Sequence, residues 1–216
     1  MTPLIICFGD SLTAGYQSPT PAHPTLLETP YGTFLQDRLG PHARVVVSGI
    51  CGELTGEMAM RFREDVLARK PAFVVILGGT NDLGMNAPPA EVMRNLLKMY
   101  ESAKNSDVQP IPVTVPSIRI ALPPDRSDTE AVKWAQSHLD RRYELNRLIS
   151  EYCTRRQVPW VDLFAATAEP ESGFLAGPYS NDGLHLTTQG YRLLASLLYE
   201  QVFRSCIGEE ATGNSQ

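Results

Sequence analysis

The chain is short of several things that would place it in other classes. It has four cysteines in 216 residues, at positions 7, 51, 153 and 206, with no CxxC pair. Such scatter argues against a zinc site and against a disulfide framework, and leaves reduced, largely buried thiols as the expectation. No apolar run approaches the roughly 18 residues of a membrane span. The first apolar run, Leu4-Ile5-Ile6-Cys7-Phe8, is preceded by no basic segment and leads straight into a glycine. A secretory leader needs a basic start, a longer apolar stretch and a small-residue cleavage site, so the run reads as a strand and a cytoplasmic protein is expected. Basic charge is also scarce: 19 Lys and Arg stand against 24 Asp and Glu, a net charge of -5. That balance lacks the footprint a phosphate backbone requires, so nucleic acid is not an expected partner. Internal repeats and heptads are missing too, which sets aside solenoids and coiled coils.

What is present is apolar residue in quantity, 43% of the chain. That suffices for one packed core and is thin for two, so residues 1–207 are expected to form one domain. The last residues, 208–216, are small and polar and are expected to be a disordered tail. Strand-like runs occur at 4–8, 44–47, 72–77, 109–115 and 159–162, most of them nearly continuous in apolar residues. Such runs suit strands covered on both faces in a parallel sheet. Helical stretches fall between them, at 31–39, 55–69, 89–105, 137–156 and 187–205; in the last, Tyr191, Leu194, Ala195, Leu198 and Val202 share a face. Alternation of this kind predicts a flavodoxin-like three-layer α/β/α sandwich around a five-stranded parallel sheet. Residues 17–30, 116–128 and 165–183 fit neither element and read as long loops, which in a folded domain are commonly functional.

The chemistry-bearing residues sit where strands are expected to end. The first strand runs into Gly9-Asp10-Ser11-Leu12, so Ser11 projects from the carboxyl edge of the sheet. Ser11 there is either a nucleophile or an ordinary helix cap. After the second strand come Ser48-Gly49-Ile50-Cys51-Gly52, where Gly52 either offers a backbone N–H to an oxyanion or serves a tight turn. After the third come Gly78-Gly79-Thr80-Asn81-Asp82, where the Asn81 amide either donates to the same oxyanion or closes a turn. After the fifth come Asp182-Gly183-Leu184-His185, an acid and a base three residues apart before a helix whose cap is Thr187 or Thr188. A serine hydroxyl needs a base to take its proton, His is the usual one, and a carboxylate fixes its tautomer. Each station alone has a bland alternative; the four in order converge on one crevice.

These segments, Gly9-Asp10-Ser11-Leu12, Gly52, Gly79-Thr80-Asn81-Asp82 and Asp182-Gly183-Leu184-His185, resemble the GDSL or SGNH hydrolase family of serine esterases and lipases, over residues 4 to about 205. The resemblance implies Ser11 as nucleophile, His185 as general base and then acid, and Asp182 as the residue orienting His185. It implies an oxyanion hole made of the Ser11 and Gly52 N–H groups and the Asn81 side chain. It implies a flavodoxin-like fold with no metal and no organic cofactor. The G-x-S-x-G elbow of α/β-hydrolases is absent. The chain departs from the family at Ser48, where Asn is frequent, and at Cys51, where Ser is common. Both changes concern how the second loop is braced. Cys51 has no neighbouring base and reads as a small packing residue.

The expected activity is hydrolysis of carboxylic esters, favouring short acyl groups, with a small-molecule ester as the partner; oligomeric state is not legible. An acyltransferase using the same site, an esterase fold with a silent site, and a flavodoxin-like module binding flavin or a nucleotide are the alternatives. The last gives Asp182 and His185 no role. His23, His42 and His138 sit in or beside loops and helix ends with no ligand spacing, so no metal site is expected, and Trp134 and Trp160 read as packing residues in preference to acyl-pocket walls. Asp10 reads as a hydrogen-bonding partner of its loop.

Overall fold

The computed structural model describes residues 2–120 and 129–207. At its centre four parallel strands, β1 (Leu4–Gly9), β4 (Arg44–Gly49), β5 (Phe73–Leu77) and β6 (Gln109–Pro112), lie in the order β4-β1-β5-β6. Two short strands, β2 (Tyr16–Gln17) and β3 (Leu27–Glu28), pair antiparallel and pin the proline-rich loop that follows β1. The order is the flavodoxin-like one, with β1 flanked on both sides so that its carboxyl end opens at the middle of the sheet edge.

The sheet is narrower than the five strands expected. The segment at 159–162 contributes a single parallel bridge, Val113 to Val161. The reason lies in β6. Successive N–H groups of a strand point to opposite sides, and those of Gln109 and Val113 point toward β5, donating to Ala72 O and Ile76 O. Positions 110 and 112 therefore face the fifth segment, and both are proline, which has no N–H to donate. Pairing resumes where a donor returns, at Thr114 N–H to Val161 O, 3.1 Å.

Strand alternation divides the core in two. Ile5 and Cys7 of β1, Val75 and Leu77 of β5 and Ile111 of β6 face α2 (Tyr31–Leu39) and α8 (Thr188–Leu198), packing with Leu35, Tyr191, Leu194 and Leu198. Ile6, Phe8, Val74 and Ile76 face α3 (Thr55–Asp65), α5 (Pro89–Lys104) and α6 (Thr129–Arg156), packing with Met58, Phe62, Leu96, Leu145 and Ile149. This is the three-layer α/β/α arrangement. Helix α6 is already formed at Thr129, before the expected start at 137, because the residues between include Glu130, Ala131, Lys133 and Ala135, all good helix formers. Short helices α1 (Ser11–Ala14), α4 (Thr80–Gly84) and α7 (Leu163–Thr167) complete the set used below.

Of the thiols, Cys7 and Cys153 are buried as expected, whereas Cys51 and Cys206 are exposed. Among the described residues no helix is long and apolar enough to cross a membrane. The tail at 208–216 and part of the expected loop, 121–128, lie outside the described residues.

Candidate active site

Ser11 is the first residue of α1, directly beyond β1. The helix cap is Asp10, whose Oδ1 accepts the Leu12 N–H at 2.9 Å. The capping role open to Ser11 thus falls to its neighbour, and the Ser11 hydroxyl points elsewhere: Oγ lies 3.1 Å from Nε2 of His185. Nδ1 of the same ring lies 2.8 Å from Oδ2 of Asp182.

The loop carrying this pair is held by its own hydrogen bonds. Asp182 Oδ1 accepts the N–H groups of Leu184 and His185, both at 2.8 Å. Ser180 Oγ accepts the Gly183 N–H at 2.9 Å and donates to the His185 carbonyl at 2.7 Å. Gly183 has φ +84, and a Cβ there would overlap the Arg119 carbonyl oxygen, so the turn needs glycine on two counts. Thr187 caps α8 by accepting the Gly190 N–H. Burial pushes the Asp182 carboxyl up, but hydrogen bonds from the His185 ring, the Ser18 hydroxyl and two backbone N–H groups hold it well below the usual carboxylate range. An ionised Asp182 takes a proton on Nδ1, which leaves the Nε2 lone pair facing Ser11. Two members of this cluster escaped the sequence. Ser18 donates to Asp182 Oδ2, and the Tyr16 ring lies 4.4 Å from the His185 ring, centroid to centroid. Their only signal was position in the loop that follows Ser11.

The other two stations meet each other through Asn81. Its Nδ2 donates to the Glu53 carbonyl at 2.9 Å and carries a second hydrogen. Asp82 accepts both the Thr55 N–H, at 3.0 Å, and the Thr55 hydroxyl, at 2.6 Å. Gly52 sits at φ +80 on an exposed turn. Among the described residues neither the Ser11 N–H nor the Gly52 N–H has an acceptor. The brace of the second loop, left open by Ser48, is Arg61: its Nη1 donates to Ser48 Oγ at 2.7 Å, its Nη2 to Gly9 O at 2.9 Å, and its Nε to Glu53 at 2.6 Å. Its guanidinium also lies 4.1 Å from the Phe8 ring centroid. One cation thereby ties β1, β4 and α3 together behind the serine.

Gly52, Asn81 and Asp182 border a cavity of about 470 Å³. Its remaining walls include Met85, Ile118, Ile120 and Leu184, and Trp134, His138 and Arg142 of α6. One expectation changes here: Trp134 is 51% exposed and lines the cavity instead of packing in the core. His138, expected at a helix end, lies within α6 and is 3% exposed. A groove of about 580 Å³ near Tyr143 and Trp160 borders none of Ser11, Gly52, Asn81, Asp182 or His185. Among the described residues no group of three or more His, Cys, Asp or Glu side chains is arranged to hold a metal ion.

The chain is 25% identical over 203 residues to an arylesterase from Vibrio mimicus, an alignment covering 93% of this chain and 88% of that one. Its fold matches that of a carbohydrate acetylesterase from Sinorhizobium meliloti, with a TM-score of 0.73 at 17% identity, over 94% of this chain and 99% of that one. It also matches an aryl esterase from M. smegmatis, with a TM-score of 0.72 at 20% identity, over 93% and 98%. Residues 7–193, from the first strand through the loop that bears His185 into α8, fit the model of one family, the GDSL-like lipase/acylhydrolases. The chain belongs to that family of carboxylic ester hydrolases.

Proposed function

We propose that this protein hydrolyses carboxylic esters of small molecules, with short acyl groups, through an acyl-enzyme on Ser11. The observation that carries the reading is the relay of Ser11 Oγ to His185 Nε2 at 3.1 Å and His185 Nδ1 to Asp182 Oδ2 at 2.8 Å. His185 takes the Ser11 proton as Oγ attacks the ester carbonyl. Asp182 holds the ring and stabilises the imidazolium that forms. The carbonyl oxygen becomes an oxyanion held by the Ser11 and Gly52 N–H groups and by the free hydrogen of the Asn81 amide. His185 then passes its proton to the leaving alcohol. Water, deprotonated by the same ring, releases the acid and restores Ser11. The arylesterase and the carbohydrate acetylesterase named above support the choice of small esters as substrates. A reducing compartment, the cytoplasm, is part of this reading, and the four free thiols are compatible with it.

The test is fluorophosphonate labelling of wild type and Ser11→Ala, read by intact mass, beside hydrolysis of 4-nitrophenyl acetate. The expected result is one adduct and turnover in wild type, with both lost in a folded Ser11→Ala variant. Folded wild type that gives neither adduct nor turnover overturns the reading.

A further inference from the structure

We propose that the cavity beside Asn81 and Gly52 takes an acyl chain ending in a carboxylate, and that the Arg142 guanidinium, assisted by His138, recognises that charge. The proposal rests on the esterase reading of Ser11 and names its substrate class: half-esters or activated esters of dicarboxylic acids.

The starting point is a buried cation with no ion-pair partner among the described residues. Arg142 is 1% exposed, the largest fully buried side chain among the described residues. Both of its hydrogen bonds leave through Nη1, to Thr80 Oγ1 at 3.3 Å and to the Pro116 carbonyl at 3.2 Å. Both acceptors are neutral. Nε is buried with no partner, and among the described residues no carboxylate lies within ion-pair distance of the guanidinium. A buried charge is costly unless it is paired. Asp10 is near enough for its field to reach Arg142, yet the two form no ion pair. Asp182 faces the same cavity, but its oxygens are engaged by His185, Ser18 and two backbone N–H groups. Arg119, also on the wall, is paired with Glu169.

His138 repeats the pattern one helical turn away. It is 3% exposed, and among the described residues neither ring nitrogen has a partner. Burial and the neighbouring Arg141 and Arg142 push its pKa down to about 4. At neutral pH it is therefore a neutral ring with one N–H to give. Residues four apart on a helix share a face, so α6 turns a guanidinium and an imidazole N–H toward one space. A carboxylate is the group that accepts from both and supplies the missing charge.

The chain that delivers this carboxylate is the acyl chain. The leaving oxygen must approach His185 Nε2 to be protonated. The cavity is walled by the oxyanion donors Gly52 and Asn81 and by Asp182 to Leu184, and the rings of His185 and Tyr16, like Ser11, lie outside its lining. Met85, Ile118, Ile120 and Trp134 along the walls suit the methylenes between the two carbonyl groups.

The test compares the 4-nitrophenyl half-ester of adipic acid with 4-nitrophenyl 6-methylheptanoate, which has the same shape and no charge. Wild type is expected to favour the anionic ester in kcat/KM by about 10²-fold, the scale of a buried charge left without its partner. Arg142→Met is expected to abolish or invert that preference, and Arg142→Lys to keep part of it. The readout is the ratio of the two esters within each protein, so a general loss of activity or folded fraction cancels, and the wild-type ratio requires no variant. A wild type that turns over the neutral ester as well as or better than the anionic one overturns the proposal and leaves the esterase reading standing. A preference that survives intact in Arg142→Met overturns the assignment to Arg142. Failure of wild type on both esters and on 4-nitrophenyl acetate overturns the esterase reading, and this inference with it.

Discussion

The loop that carries His185 and the helix face that carries His138 border the same cavity, and they treat their polar atoms in opposite ways. In the loop, Asp182 has partners on both oxygens and Ser180 both accepts and donates. On the helix, among the described residues, His138 has no partner on either nitrogen and Arg142 none on Nε. Buried polar atoms are usually satisfied, so the contrast separates two kinds of work. The loop holds a geometry that must exist before substrate arrives, and it does so with bonds of its own. The helix face holds donors in reserve, which suits recognition of a group that arrives with the substrate.

The first way to break this comparison is to corrupt the self-satisfied side. Asp182→Asn keeps the side-chain shape but offers an amide in place of an ionised acceptor. Nδ1 can then lose its proton to Nε2, which turns the wrong tautomer toward Ser11. We expect kcat to fall by about 10³–10⁴-fold with an unchanged circular dichroism spectrum, in line with the loss of an orienting carboxylate. A rate near wild type removes Asp182 from the relay. Next in size is Asn81→Ala. It takes away the amide hydrogen assigned to the oxyanion, and kcat is expected to fall by about 10²–10³-fold with KM nearly constant. A fall confined to KM assigns Asn81 to ground-state binding instead.

Ser18→Ala is the smaller probe of the same loop. It deletes one donor to Asp182 and leaves the His185 ring and the Leu184 and His185 N–H groups in place. We expect a loss of about tenfold or less in kcat/KM, the scale of a single hydrogen bond to a charged group. A loss as large as that of Asp182→Asn gives Ser18 a direct part in the chemistry.

The two regions also differ in how far they were legible in the sequence. The stations at Ser11, Gly52 and Asn81 follow strand ends, where glycine interrupts an apolar run, whereas Asp182–His185 lies in the loop between α7 and α8 and was legible only from an acid and a base three residues apart before a helix. Arg142 and His138 gave no such signal. They sit within a 28-residue helix of mixed polarity, where a fully buried guanidinium and a partly exposed one have the same sequence context. Only tertiary packing, with Thr80 from α4 and Pro116 from the loop after β6, distinguishes Arg142 from Arg141. The fifth strand was over-read for a different reason. An apolar pattern reports burial and says nothing of donors, and it was the spacing of Pro110 and Pro112, two residues apart and so on one side of β6, that held the warning.

Asp10 stands between the two regions and gives the most delicate test. It is wholly buried, Oδ1 is engaged by Leu12 N–H, and Oδ2 has no partner among the described residues. Burial raises its pKa to about 7, against the opposing pull of the Leu12 hydrogen bond and the fields of His185 and Arg142. The unfolded value of such a carboxyl is about 3.9. Between these values the native state binds the proton that the unfolded state has released, so stability falls as pH rises from about 4 to about 7 and stays low above that. Asn at this position keeps the cap acceptor and has no charge to lose. The Tm of Asp10→Asn minus that of wild type is therefore expected to widen between about pH 4.5 and pH 8 by at least about 3 °C, since 1 kcal/mol moves Tm by about 2–4 °C in a chain of this size. A difference that stays flat across this range means that Asp10 is ionised throughout in the native state. In that event Asp10 neutralises Arg142 through the protein itself, the helix face is no less self-satisfied than the loop, and the contrast from which the carboxylate site was inferred is lost.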